Sequence, residues 1–307
     1  MFLGCMRLGG EVGSGPLDAA DIEAAEAAVG AALEAGITAF DLADIYRRGR
    51  SELVFGEVLR RAPDLRGRIT VQTKCGIRLA EGDQPGHYDL RGASILRRVE
   101  ESLERLGVDS IDTLLLHRPD PLADPADIGA ALGSLHRQGL VRSFGVSNMS
   151  GAQIAHLQAH TPVPLVANQL QMSLRRRDWL EAGVLVNTAE SAGTGFPLGT
   201  VEHCLANGIQ LQAWEPLAQG RYTGLQETPA ETAAARLIAE LARVKETTPE
   251  TIVLWWLQRH PARIVPVVGS TRPARIAACG DAVRRAPDLT HEEWYRLWVT
   301  ARGAALP

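Results

Sequence analysis

Short apolar runs rich in β-branched residues alternate along the chain with longer segments whose apolar residues recur at helical spacing. Turn-forming residues bound the short runs, and the longer segments open on capping residues and stop at glycine. The pattern therefore predicts strands and helices in alternation. Strands are predicted at residues 2–8, 37–41, 69–73, 113–117, 143–147, 165–169, 209–214 and 264–268.

Helices are predicted in the intervals between these strands. The first, over residues 17–35, begins with Asp18 as a capping side chain and stops before Gly36. In the helix predicted over residues 92–106, Ser94 is the capping candidate. Further helices are predicted at 51–61, 125–138, 150–159, 231–246, 249–258 and 273–284, with a final helix at 294–299 packed on the rest.

The alternation of eight strands with helices points to a parallel α/β architecture, and several strands are nearly continuous apolar runs, as expected when both faces are covered. A count of eight favours a closed (β/α)₈ barrel, the TIM barrel, over an open sheet. We expect a single domain over residues 1–307, with a turn at 9–15 and an inserted loop at 175–200. In such a barrel the active site lies at the C-terminal ends of the strands.

Polar side chains stand at the ends of these apolar strands. A barrel gathers the strand ends on one face, so we expect these side chains to converge there. Only two of the 32 basic residues are lysines, Lys74 and Lys245, which makes a lysine at a strand end unlikely to be incidental surface charge. The strand-end residues are Asp41, Lys74, His117, Ser147 with Asn148, Gln169, Trp214 and Gly269 with Ser270, and Tyr46 lies in the loop after Asp41.

Seven short motifs, in order and with matching spacing, resemble the aldo-keto reductase family over nearly the whole chain. The resemblance implies that fold, carbonyl–alcohol oxidoreduction and a nicotinamide cofactor. The motifs are Asp-Leu-Ala-Asp-Ile-Tyr at 41–46 with Gly-Arg-Ser-Glu at 49–52, Thr-Lys-Cys-Gly at 73–76, Leu-Leu-Leu-His-Arg-Pro-Asp at 114–120, Phe-Gly-Val-Ser-Asn at 144–148, Asn-Gln at 168–169, Pro-Leu-Ala-Gln-Gly at 216–220 and Gly-Ser-Thr-Arg-Pro-Ala-Arg at 269–275.

The resemblance implies a catalytic tetrad of Asp41, Tyr46, Lys74 and His117. Tyr46 is expected to donate a proton to the developing alkoxide, because a tyrosine stays protonated at neutral pH. The ammonium of Lys74, held by Asp41, should lower the pKa of Tyr46. His117 should hydrogen-bond the substrate carbonyl and polarise it.

The resemblance also implies a set of cofactor contacts. Arginines beside the last motif could bind a ribose 2′-phosphate, which favours NADP(H) over NAD(H). Four residues depart from the usual pattern: Glu215 stands where many members have serine, Ala278 and Cys279 where many have glutamate and asparagine, and Met149 where an aromatic residue is common. The predicted contacts are Ser147, Asn148 and Gln169 on the carboxamide, Trp214 on the nicotinamide ring, Leu217 near the pyrophosphate, and Gly269, Ser270, Thr271, Arg272 and Arg275 around the adenosine phosphate.

Charge and composition exclude other classes of function. A net charge of −4 and a pI of about 6.1 give no reason to expect a nucleic-acid or membrane partner. Four dispersed cysteines without a C-x-x-C pair favour a reducing, cytoplasmic location. His156 and His160 have helical spacing but no acidic ligand nearby, so no metal site is predicted.

Two classes of function remain open. The first is an NADP(H)-dependent reductase or dehydrogenase acting on a small carbonyl or alcohol substrate. The second is a cofactor-binding regulatory or interaction subunit that keeps the barrel and turns over poorly. The complete tetrad favours the first. Two interpretations stay open for Arg118 and for Arg47 or Arg48 beside the tetrad: tolerance for polar or anionic substrates, or side chains that point to solvent. The substrate itself, the direction in the cell and the oligomeric state cannot be deduced.

Overall fold

The computed structural model describes residues 1–11 and 15–307, so the middle of the turn predicted at 9–15 lies outside the described residues. Eight parallel strands close into a barrel in the order β1-β10-β9-β8-β7-β6-β3-β2, and β4 pairs with β5 as a separate antiparallel hairpin. The predicted barrel is confirmed. The strands are β1 (Phe2–Gly4), β2 (Ala39–Asp41), β3 (Thr70–Cys75), β4 (Ile77–Arg78), β5 (His87–Tyr88), β6 (Ile111–Leu116), β7 (Val141–Ser147), β8 (Leu165–Gln171), β9 (Gln210–Trp214) and β10 (Val265–Val268).

Helices cover the outside of the barrel. Among the described residues, no helix is long and apolar enough to cross a membrane. The helices are α1 (Ala19–Glu34), α2 (Arg50–Arg61), α3 (Gly92–Leu106), α4 (Pro125–Arg137), α5 (Gly151–Gln158), α6 (Asp178–Val184), α7 (Thr200–Ala206), α8 (Pro229–Val244), α9 (Pro249–Gln258), α10 (Pro273–Ala277), α11 (Asp281–Arg284) and α12 (His291–Arg302).

Helix ends follow the predicted caps in one case and not in another. Asp18 caps α1 by accepting a hydrogen bond from the backbone N–H of Asp21 at 2.8 Å, as predicted. The predicted cap at Ser94 is wrong, because Ser94 lies inside α3. The helix begins earlier because a carboxylate from α4 takes the capping role: the N–H of Gly92 donates to Asp127 Oδ2 at 2.7 Å.

The segment predicted as a loop at 175–200 contains α6 and a short 3₁₀ turn, and α7 begins at its end. These helices have only seven residues each, and α6 buries only Trp179 and Ala182, so no helical periodicity could develop in the sequence. The helix predicted at 273–284 is broken into α10 and α11. The carbonyl of Ala278, between them, accepts hydrogen bonds from the hydroxyls of Thr248 and Thr251.

The final helix, α12, packs on α8 and α9, in agreement with the sequence. The indoles of Trp256 and Trp294 stack with ring centroids 5.2 Å apart, and each indole N–H donates to the backbone carbonyl of the other residue. Both buried polar tips are thereby satisfied, which lets two large aromatic side chains contribute fully to the core.

Candidate active site

Lys74 lies at the centre of the polar side chains that end the barrel strands, and it is completely buried. Its ammonium Nζ donates to Asp41 Oδ2 at 2.6 Å, to the carbonyl of Leu42 at 2.7 Å and to the hydroxyl oxygen of Tyr46 at 3.1 Å. An ammonium has three N–H donors, and all three are used. Burial opposes the charged form, but the carboxylate of Asp41 and the phenol of Tyr46 outweigh it and leave the pKa of Lys74 above its usual value.

Asp41 is held from its other side by a network of buried glutamines, of which the sequence analysis missed Gln72 and Gln212. Its Oδ1 accepts from Gln72 Nε2 at 2.6 Å and from Gln169 Nε2 at 3.0 Å. Both amides also donate to Gln212 Oε1, and Gln212 donates back to Gln72. The sequence feature that could have revealed Gln72 and Gln212 is a polar glutamine in the middle of each of two otherwise strand-like segments, which form β3 and β9.

Tyr46 lies five residues after the end of β2, at the start of a short 3₁₀ turn that leads into α2. Burial raises the pKa of Tyr46 above its usual value of 10.0; Lys74 opposes this and Asp41 adds to it. Lys74 therefore acts in the predicted direction, but the predicted net lowering is not found because burial of the phenol outweighs the ammonium. The hydroxyl is protonated at neutral pH.

His117 follows β6 and faces Tyr46, with the two rings edge to face and their centroids 5.9 Å apart. Burial, then the charges of Lys74 and Arg118, hold the pKa of His117 well below its usual range, so the imidazole is neutral at physiological pH. Its Nδ1 is buried without a hydrogen-bond partner. Nε2 is therefore the ring nitrogen left for a ligand.

Four residues predicted to contact the nicotinamide are brought together. Asn148 donates to Ser147 Oγ at 2.8 Å and accepts from the indole N–H of Trp214 at 3.1 Å, while Ser147 donates to the backbone carbonyl of Gln169 at 2.9 Å. Asn148 has a φ of 58°, in the left-handed region that asparagine tolerates. The side-chain nitrogen of Gln169 already has two protein partners, so only its oxygen remains for a ligand.

The segments predicted for the pyrophosphate and the adenosine phosphate also meet. A Cβ added to Gly220 would lie 3.9 Å from Nη1 of Arg275, which places the guanidinium against the loop that carries Leu217. Arg272 and Arg275 are exposed, and Ser270 Oγ accepts from the N–H of Arg272 at 3.2 Å. Gly269 and Thr271 lie in the same stretch between β10 and α10. Cys279 is buried and donates to the carbonyl of Arg275, so it packs inward.

Glu215 lies just beyond Trp214, at the start of the predicted pyrophosphate loop. Its Oε2 accepts from Gln171 Nε2 at 2.5 Å, and its Oε1 accepts from Gln219 Nε2. Glu215, Ala218 and Gln219 all have positive φ, which is costly for residues other than glycine. The carboxylate that replaces the usual serine thus ties the two ends of a strained loop together.

A second buried network, also missed from the sequence, supports the loop that carries Tyr46. Arg98 Nε donates to Asp44 Oδ2 and Arg105 Nε donates to Glu52 Oε2, each at 2.8 Å, and both carboxylates are buried. Burial raises the pKa of Asp44 to about 6; Arg98 opposes the rise and Glu52 adds to it. The two arginines are seven residues apart on α3, the spacing that places both on one helix face.

Similarity to known proteins agrees with this geometry. The aldo/keto reductase family matches residues 1–297. An uncharacterized oxidoreductase of Bacillus subtilis is 35% identical over 279 residues, which are 90% of this chain and 87% of that protein. A 6-dehydroglucose reductase of Agrobacterium fabrum is 34% identical over 309 residues, 98% of this chain and 93% of that protein.

Among solved structures, an aldo/keto reductase from Klebsiella pneumoniae in complex with NADP and acetate superimposes with a TM-score of 0.72. At 23% identity it covers 96% of this chain and 88% of its own, which supports the fold. The family match spans nearly the whole sequence, and both relatives match at more than 30% identity. The chain therefore belongs to the aldo/keto reductase family and is an oxidoreductase of carbonyl and alcohol groups.

Proposed function

We propose that the protein transfers a hydride between NADP(H) and a small carbonyl or alcohol substrate, with Tyr46 as the general acid and base. The observation that carries this proposal is that all three N–H groups of the Lys74 ammonium donate hydrogen bonds, one of them to Tyr46. Because Lys74 donates to the hydroxyl oxygen of Tyr46, that oxygen is an acceptor on its inner side and its own proton is free to face a substrate.

In the reducing direction, Tyr46 gives its proton to the oxygen of the substrate as negative charge develops there. The phenolate left behind accepts a hydrogen bond from Lys74, an ammonium held 3.1 Å away that needs no rearrangement. Asp41 keeps the ammonium in place. His117 is neutral, so it donates a hydrogen bond to the carbonyl oxygen from Nε2 and leaves the proton transfer to Tyr46.

The residues around the tetrad fit a nicotinamide cofactor, which supplies the hydride when bound. Ser147 and Asn148 present a hydroxyl and an amide beside His117, and Trp214 offers a flat indole face anchored by its N–H. Arg272 and Arg275 form no ion pair within the described chain, so both guanidinium groups are available to a 2′-phosphate. This availability supports the preference for NADP(H) over NAD(H).

The test is a cofactor-oxidation screen of the purified chain over aldehydes, ketones and keto-sugars, with NADPH and NADH in parallel. Aldehydo-sugars belong in the panel because one relative is a 6-dehydroglucose reductase. Tyr46→Phe should leave NADPH binding nearly unchanged and remove most turnover. Tyr295→Phe, which removes a hydroxyl from the partly exposed face of α12, is the matched control and should turn over normally.

Unchanged turnover by Tyr46→Phe would refute the proposed acid. Tight NADPH binding by the unsubstituted protein without turnover on any member of the panel would instead favour the cofactor-binding subunit. The single-domain organisation over residues 1–307 and the cytoplasmic location stay predictions of the sequence.

A further inference from the structure

Five arginines in the described loops on the catalytic face lack protein partners, whereas most other arginines are paired. In the part of the chain that the structure describes, they form neither ion pairs nor side-chain hydrogen bonds, while α3, for example, pairs every one of its arginines. The loops concerned follow β1, β2, β3 and β6. The unpaired arginines are Arg7, Arg47, Arg48, Arg78 and Arg118.

Arg47 directly follows Tyr46 and has an unfavourable backbone. Its φ and ψ are 51° and 35°, and those of Arg48 are 56° and 43°, both in the left-handed region where glycine or asparagine is usual. Neither side chain forms a hydrogen bond or an ion pair within the described chain that would offset this strain. Residues with a strained backbone conformation cluster at active sites and ligand-binding sites.

Arg118 directly follows His117, and its charge is close enough to the imidazole to help lower the pKa of His117, after burial and Lys74. The rings of Tyr46 and His117 lie 5.9 Å apart. Arg47 and Arg118 therefore flank the two groups that face the substrate carbonyl, and both are only partly buried.

The acids nearest to these two arginines along the chain are already engaged. Asp44 pairs with Arg98. Asp120, two residues after Arg118, accepts from the backbone N–H groups of Leu90 and Leu122, each at 2.9 Å. Among the described residues, neither arginine therefore forms an ion pair with a carboxylate.

We propose that the carbonyl substrate carries an anionic group, a carboxylate or a phosphate, which Arg47 and Arg118 bind while the carbonyl oxygen meets Tyr46 and His117. This inference rests on the proposed function of the same site. A guanidinium matches both anions because its N–H groups form a planar fork that donates two parallel hydrogen bonds.

The test compares matched substrates that differ in charge. One pair is para-carboxybenzaldehyde and its primary amide; a second is glyceraldehyde phosphate and glyceraldehyde, which separates a phosphate requirement from a carboxylate requirement. The unsubstituted protein should show a kcat/KM at least about tenfold higher for the charged member of one pair, as expected for one charged hydrogen bond.

Arg118→Gln and Arg47→Asn should each remove most of that preference, and asparagine suits the left-handed backbone at position 47. Both should lower kcat/KM for the charged member far more than for its neutral counterpart, and both should leave the KM for NADPH unchanged. Arg236→Gln, an equal loss of charge at an exposed, unpaired arginine on α8, is the control and should keep the preference.

Turnover without charge preference, or a preference that survives both substitutions, would overturn the inference and leave the proposed function standing. A raised KM for NADPH in Arg47→Asn and Arg118→Gln would also overturn it, because the arginines would then contact the cofactor. If the protein turned over no member of either pair and no other carbonyl compound, the proposed function and this inference would both be refuted.

Discussion

Replacing Lys74 by methionine tests whether the ammonium is a buried ionic partner as well as a catalytic one. Lys74→Met leaves the carboxylate of Asp41, only 2% exposed, with two amide donors and no cation. Removing one member of a buried ion pair costs about 3–5 kcal/mol of stability. We expect a loss of that size in the free energy of unfolding, together with loss of turnover.

The double variant Asp41→Asn/Lys74→Met separates the two roles. Its amide oxygen still faces Gln72 and Gln169, but no isolated charge remains in the barrel, so most of the lost stability should return. Turnover should stay absent. Urea unfolding followed by the fluorescence of the six tryptophans measures stability, and NADPH oxidation measures turnover. A single variant destabilised by less than about 1 kcal/mol, or a double variant no more stable than the single one, would refute the reasoning.

Three further changes test the surrounding networks. The carboxyl group of Asp44 keeps its proton in the folded protein up to about pH 6, whereas in the unfolded chain it loses the proton near pH 3.8. Raising the pH through this window should therefore lower the free energy of unfolding by about 3 kcal/mol. In urea titrations Asp44→Asn should lack this slope, and an identical slope would contradict the assignment. Gln212→Leu should cost about 1–3 kcal/mol by removing a buried acceptor from two amides, whereas Gln226→Leu, at an exposed position without a side-chain hydrogen bond in the described chain, should cost much less; equal losses would argue against the network. Arg275→Ala should raise the KM for NADPH about tenfold or more and leave that for NADH nearly unchanged, with Arg243→Ala as the remote control; a parallel rise for both cofactors would exclude a 2′-phosphate contact.

The barrel and the candidate tetrad could be predicted because both follow from local pattern. Apolar strands and capped helices repeat along the chain, and a parallel barrel gathers whatever polar residue ends each strand. Asp41, Lys74 and His117 are found at or just after the ends of β2, β3 and β6, so their proximity required only the fold.

The glutamines behind Asp41 could not be predicted in the same way. Gln72 and Gln212 are 140 residues apart in sequence and are brought into contact across the barrel interior. A glutamine inside a strand could face solvent or the interior, and only the closed barrel decides between them. The same holds for Arg98 and Arg105, whose partners Asp44 and Glu52 lie on other elements. The pKa of Tyr46 depends on how deeply the phenol is buried, and the depth of burial cannot be read from a sequence motif.

The complete enclosure of Lys74 has a practical consequence for labelling the protein. Lys245 is the only other lysine, and its ammonium pairs with Asp288 and Glu293 on a side chain that is 10% exposed. Because the side chain of Lys245 keeps this exposure and Lys74 has none, amine-reactive reagents should modify Lys245 in the folded chain while Lys74 stays untouched. Acylation of Lys74 requires the barrel to open, so its rate, read by peptide mass spectrometry, would report barrel opening at a single atom in the catalytic centre.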